Sequence, residues 1–92
     1  MATVKLSHPN TLPVEDAKKK ISDVFAPYSS KFGLKQHWEG DKLMLSGSGL
    51  DGHAHVGEKS IDVEVKLGLA ASVFKGRIES GIKEELEKHF KA

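Results

Sequence analysis

The sequence contains no cysteine, so no disulfide can staple the fold and neither thiolate chemistry nor a Cys-based metal site is available. It has no apolar run long enough to span a bilayer and no charged-then-apolar leader at its start, so a cytosolic protein without membrane insertion is expected. It has almost no charge surplus. Fourteen Lys and Arg stand against thirteen Asp and Glu, a net of +1, whereas nucleic-acid readers carry a concentrated basic excess. No nucleic-acid partner is expected. Also missing are a Gly-rich phosphate loop, a nucleophile elbow, and paired carboxylates beside an acid–base histidine. Those absences weigh against an enzyme and give no reason to expect a cofactor.

What is present is an ordinary globular composition, 38% hydrophobic and 29% charged over 92 residues. This is enough for a single domain, 1–92, with one modest core. The chain is organised around residues 34–67, which read as four successive strands: 34–39, 42–48, 50–56 and 60–67. The last is the clearest. Ile61, Val63, Val65 and Leu67 alternate with Asp62, Glu64 and Lys66, a period of two that marks one buried and one wet face. Gly40-Asp41 and Gly57-Glu58-Lys59 supply turns, and Gly47-Ser48-Gly49 a flexible connection or bulge.

Before this meander, residues 3–8 alternate as a first strand, ended by His8-Pro9-Asn10. Thr11 is the predicted N-cap of a helix, with Pro13 in its first turn and Glu15 and Asp16 at its electropositive start. Val14, Ala17, Ile21, Val24 and Phe25 follow at helical spacing, and Tyr28 and Phe32 prolong the stripe. Pro27 predicts a break or kink near Ala26; Gly33 is the predicted stop. After Leu67, residues 68–72 read as a loop, and a last helix opens at Val73 or Phe74 and runs to Phe90. Its buried stripe is expected to be Phe74, Ile78, Ile82, Leu86 and Phe90. Strand, helix, four strands, helix then folds economically in one way. It is an α+β two-layer sandwich, an antiparallel five-stranded sheet of order 1-5-4-3-2 with both helices on one face, the TATA-binding-protein-like or helix-grip architecture.

Four groups carry candidate chemistry. His37, His53 and His55 share the outer sheet face and could bind a divalent ion. The ligand count is loose for such a site, and a wet face that happens to carry histidines is the favoured reading. Trp38 is a binding platform or, as the favoured reading, core edge, with Gln36 the odd polar residue beside it. Gly52 and Ala54 put little volume on the inner face, which means either close approach of the last helix at Gly81 or a ligand pocket lined by the three. Lys18-Lys19-Lys20 reads as a solvated helix face.

The chain also resembles a small bacterial family, the polyhydroxyalkanoic acid system or polyhydroxyalkanoate granule-region proteins. The residues that carry the resemblance are Pro13-Val14-Glu15-Asp16-Ala17, Trp38-Glu39-Gly40-Asp41, Gly49-Leu50-Asp51-Gly52, Lys66-Leu67-Gly68-Leu69 and Phe74-Lys75-Gly76-Arg77-Ile78-Glu79. They are mostly turn and core positions, and the resemblance assigns no catalytic residue. It implies a link to storage-polyester metabolism. With no catalytic constellation in the chain, the expected role is non-enzymatic, accessory or regulatory, in the cytoplasm or at the granule, with other granule-associated proteins as partners. The rival expectations are a helix-grip carrier holding a small apolar ligand between sheet and last helix, and a metal-binding enzyme centred on the histidines.

Overall fold

Alternation in the central strands dictates the architecture. The computed structural model describes residues 2–47 and 49–90; Ser48, at the predicted end of the third strand, and Lys91, among the predicted charges of the last helix, lie outside them. In chain order the elements are β1 (Ala2–Pro9), α1 (Val14–Phe32), β2 (Lys35–Glu39), β3 (Lys42–Gly47), β4 (Leu50–Val56), β5 (Ser60–Leu67), α2 (Leu69–Ser72) and α3 (Lys75–His89). The strands form one antiparallel sheet of order β1-β5-β4-β3-β2, the predicted topology.

The register converts alternation into two faces. Leu6, Val63, Ala54, Leu43 and Trp38 face one another across five strands. The next row, Lys5, Glu64, His53, Met44 and His37, belongs to the opposite face. A one-residue slip would exchange these rows, so burial of the first fixes the pairing. Both helices cover the apolar face. α1 lies over β4 and β2, α3 over β1, and the helices pack on each other. Phe25, Ile21, Leu43, Ile61, Leu86 and Phe90 are among the side chains sealed between the layers.

α1 departs from expectation at three points. Pro27 does not break it; the helix is continuous from Val14 to Phe32. The carbonyl that loses its donor belongs to Asp23, which is exposed and open to water. Ala17, Ile21, Val24 and Phe25, all buried, hold the helix against the sheet, and such packing outweighs local propensity. Thr11 is not the cap. Pro13 occupies that position, with no side-chain cap bond. Asn10 instead organises the entry. Its carboxamide oxygen accepts the Leu12 N–H at 2.9 Å, and its NH2 donates to the carbonyls of Leu12 at 3.0 Å and Gly57 at 2.9 Å. At the far end Gly33 takes φ 63° as predicted, and the Leu34 N–H reaches back to the Ser29 carbonyl at 3.1 Å.

The last helix is corrected too. Residues 69–72 form the short helix α2 rather than a loop, and α3 begins at Lys75. Ile78, Ile82, Leu86 and Phe90 are buried, but Phe74 is 48% exposed. A strict four-residue repeat rotates about 40° per step on an α-helix, at 3.6 residues per turn. Five such positions therefore sweep well beyond one apolar stripe, and Phe74 falls off its edge.

Candidate functional site

The outer sheet face carries the histidines where the sequence placed them. His37 lies opposite Met44, which lies opposite His53, so the two imidazoles are two strands, about 10 Å, apart along the sheet. His55 lies opposite Asp62 and Lys42. Asp62 already accepts hydrogen bonds from Ser7 Oγ at 2.9 Å and Ser60 Oγ at 3.4 Å, and Glu64 stands 3.9 Å from Lys5 Nζ. Among the described residues no group of three or more His, Asp or Glu is placed to hold a metal ion.

Gly52, Ala54 and Gly81 do not come together. Ala54 is fully buried. A Cβ at Gly52 would strike the Glu64 carbonyl oxygen and come within 2.9 Å of the Val65 Cα, so the close approach there is made by β5 and not by α3. Gly81 faces Tyr28 of α1, whose hydroxyl fills the space a Cβ would need. Small residues here let backbone and ring approach closely.

Trp38 is half-buried at the core edge, with Lys18 Nζ 5.0 Å above its ring, so a cation already occupies that face. The same ammonium donates to the Gly40 carbonyl at 2.8 Å and lies 3.7 Å from Asp41. Lys18 thus clamps the β2–β3 turn, while Lys19 and Lys20 are exposed as expected. Gln36 also has a partner, donating to Ser29 Oγ at 3.1 Å.

The unexplained surface lies at the opposite end of the sheet. Leu69 is 82% exposed and Val73 78%, beside the half-exposed Phe74. Leu69 and Val73 are four apart along continuous helical backbone, so both side chains project from one face. Phe74 also borders a groove between α1 and α3, of about 300 Å³, lined further by Tyr28, Lys31, Phe32, Arg77 and Ile78. The rings of Tyr28 and Phe32 stack in it, 6.3 Å apart and 8° from parallel. Tyr28 and Lys31 also border a second hollow, lined further by Pro27, Gly81, Glu84 and Glu85. Burial raises the Tyr28 pKa above its usual 10, helped by the charges of Glu85 and Glu84.

The sequence reading missed this corner. A signal was available: Leu69 and Val73 are apolar, four apart, and outside every predicted stripe.

The geometry defines a small two-layer α+β protein with one bare sheet face and an apolar corner on its helical layer. The chain belongs to the family described as "Putative polyhydroxyalkanoic acid system protein", whose model matches residues 4–90. That span runs from within β1 to Phe90, the corner included. No curated protein and no solved structure matches the chain.

Proposed function

We propose that this protein is a non-enzymatic accessory or regulatory protein of the polyhydroxyalkanoate system, acting by binding a granule-associated protein in the cytoplasm. The observation that carries this reading is the exposure of Leu69 and Val73, which the described chain leaves largely uncovered, beside the half-exposed Phe74. Large apolar side chains gathered at one solvent-facing corner mark an interaction surface more often than a fold requirement. Family membership supplies the context. The carrier alternative draws less support, because the layer between sheet and α3 is filled by buried Leu, Ile, Val and Phe side chains.

The corner also modifies how a granule would be met. No helix of the described chain is long and apolar enough to cross a membrane. Nor does docking require α3 to peel from the sheet, because the exposed cluster precedes the buried part of that helix. The test is fractionation of granules from polyester-accumulating cells. The wild type is expected in the granule fraction, and Leu69→Gln/Val73→Gln/Phe74→Ser in the soluble fraction. Equal partition of folded wild type and variant would overturn the reading.

A further inference from the structure

We infer that the α1–α3 groove is the seat of an amphipathic partner segment, apolar along one face and acidic toward one end. The inference deepens the binding role proposed above by naming the kind of partner.

The groove offers an aromatic floor and two flanking cations. Phe32 and Phe74 present ring surface, Ile78 closes the base, and Lys31 from α1 and Arg77 from α3 bring positive charge from both helices. Neither cation forms an ion pair among the described residues, so both are available to an incoming carboxylate. Lys75, also exposed, adds to the same end, and the first turn of α3 holds no acidic residue. Tyr28 and Lys31 line both this groove and the adjoining hollow, where Glu84 and Glu85 bring negative charge. A ligand lying across the two hollows therefore meets Arg77 at one end, Lys31 midway, and the carboxylates of Glu84 and Glu85 at the other.

This polarity selects among occupants. A uniformly anionic lipid surface would gain at Lys31 and Arg77 but be repelled at Glu84 and Glu85. A helical segment with apolar residues at i, i+3, i+4 and i+7 can lay its stripe on Phe32 and Phe74. Its acidic end can meet the cationic end of the groove, and opposite charges so arranged fix direction as well as adding affinity. Arg77 is suited to the contact because its planar guanidinium can take a carboxylate through two bonds.

The experiment titrates isotope-labelled full-length protein with two synthetic amphipathic peptides of about 18 residues, long enough to hold a helix. One carries Glu at its first-bound end and the other Lys, on the same Leu stripe. The Glu peptide should shift the amides of Phe32, Phe74, Arg77 and Ile78 and bind at least about tenfold tighter than the Lys peptide. Lys31→Glu/Arg77→Glu, two exposed positions, should reverse that preference, and Phe74→Ala should weaken the Glu peptide. Equal affinity of the two peptides for the wild type would sink the proposal, as would no shift at either. Phosphatidylcholine vesicles containing phosphatidylglycerol provide the second arm. Vesicle binding through the same amides with no peptide preference would assign the corner to lipid instead. Concentration-dependent dimers that bury these amides would assign it to a second copy. Failure of the peptide leaves granule fractionation to judge the accessory role separately.

Discussion

The two ends of the sheet are built on different principles. At the end carrying the β4–β5 turn, polar groups are satisfied from within. Asn10, only 6% exposed, bonds to the turn through both its side chain and its backbone N–H, which reaches the Lys59 carbonyl at 2.9 Å. Lys18 clamps Gly40, Asp41 and Trp38, and the Val56 N–H reaches the Asp41 carbonyl at 2.8 Å. At the other end, where α1 finishes and α3 starts, Leu69, Val73 and Phe74 face solvent beside Lys31 and Arg77. The first end is explained by stability. The second has no internal purpose in the described fold, and apolar surface that the fold does not use is available to something outside it.

The comparison breaks most visibly in the core between the two ends. Ile82 and Leu86 are almost fully buried where α3 meets the sheet. Ile82→Ala or Leu86→Ala should lower stability by about 2–5 kcal/mol, the lost transfer energy plus the cavity left behind. Urea denaturation would measure it, and losses under about 0.5 kcal/mol at both sites would mean α3 is not the cover it is here. Next in size is the pinned end. Asn10→Ala removes three side-chain hydrogen bonds and leaves the Gly57 carbonyl and Leu12 amide to find water. A loss of about 1–3 kcal/mol is expected. An unchanged midpoint would mean that the turn holds without it.

How much of this was legible depended on whether the signal was periodic. The sheet order followed from strand alternation and a helix that reverses the chain, which let β1 pair antiparallel with β5. The outward histidines followed from the same period of two. Pro27 was misread because a local rule was applied to a helix anchored by buried residues on the turns before it. Asn10 was read only as part of a turn, since its bonds are to Leu12 and to Gly57, which is 47 residues away and reached only through the fold. The corner was missed for a different reason. Leu69 falls in a stretch read as a loop and Val73 at the edge of the last helix, where periodicity gives no face to assign, and Phe74 was absorbed into a stripe that rotates too far to hold it.

Tyr28 sharpens the contrast, because it lines both hollows between α1 and α3, the one with Arg77 and the one with Glu84 and Glu85. Its folded-state pKa lies above the unfolded value of about 10. The folded state therefore holds the phenolic proton more tightly. The resulting contribution to stability is complete below the unfolded pKa and is lost as pH rises through the folded one. Denaturant midpoints should fall in strongly alkaline solution, and Tyr28→Phe should flatten that part of the fall. The chain has a single tyrosine, so phenolate absorbance reports the same group directly. An ionisation midpoint at or below the free value would contradict the burial.

The smallest expected effect is the most discriminating. If Leu69 and Val73 serve an external partner, replacing both should cost the fold almost nothing. Gln is the appropriate substitute, since it is a good helix former and leaves the backbone of α2 unperturbed. Both side chains are more than three-quarters exposed, so Leu69→Gln/Val73→Gln should change unfolding free energy by no more than about 0.5 kcal/mol. The same substitution at Ile78, a few residues on but 3% exposed, should be far more damaging, because it would bury an amide in an apolar core. The pair of measurements separates two causes that granule fractionation alone would confound. A double variant that is as stable as wild type yet leaves the granule fraction has lost a docking surface. One that loses about 1 kcal/mol or more has lost packing, and the corner would then belong to the fold after all.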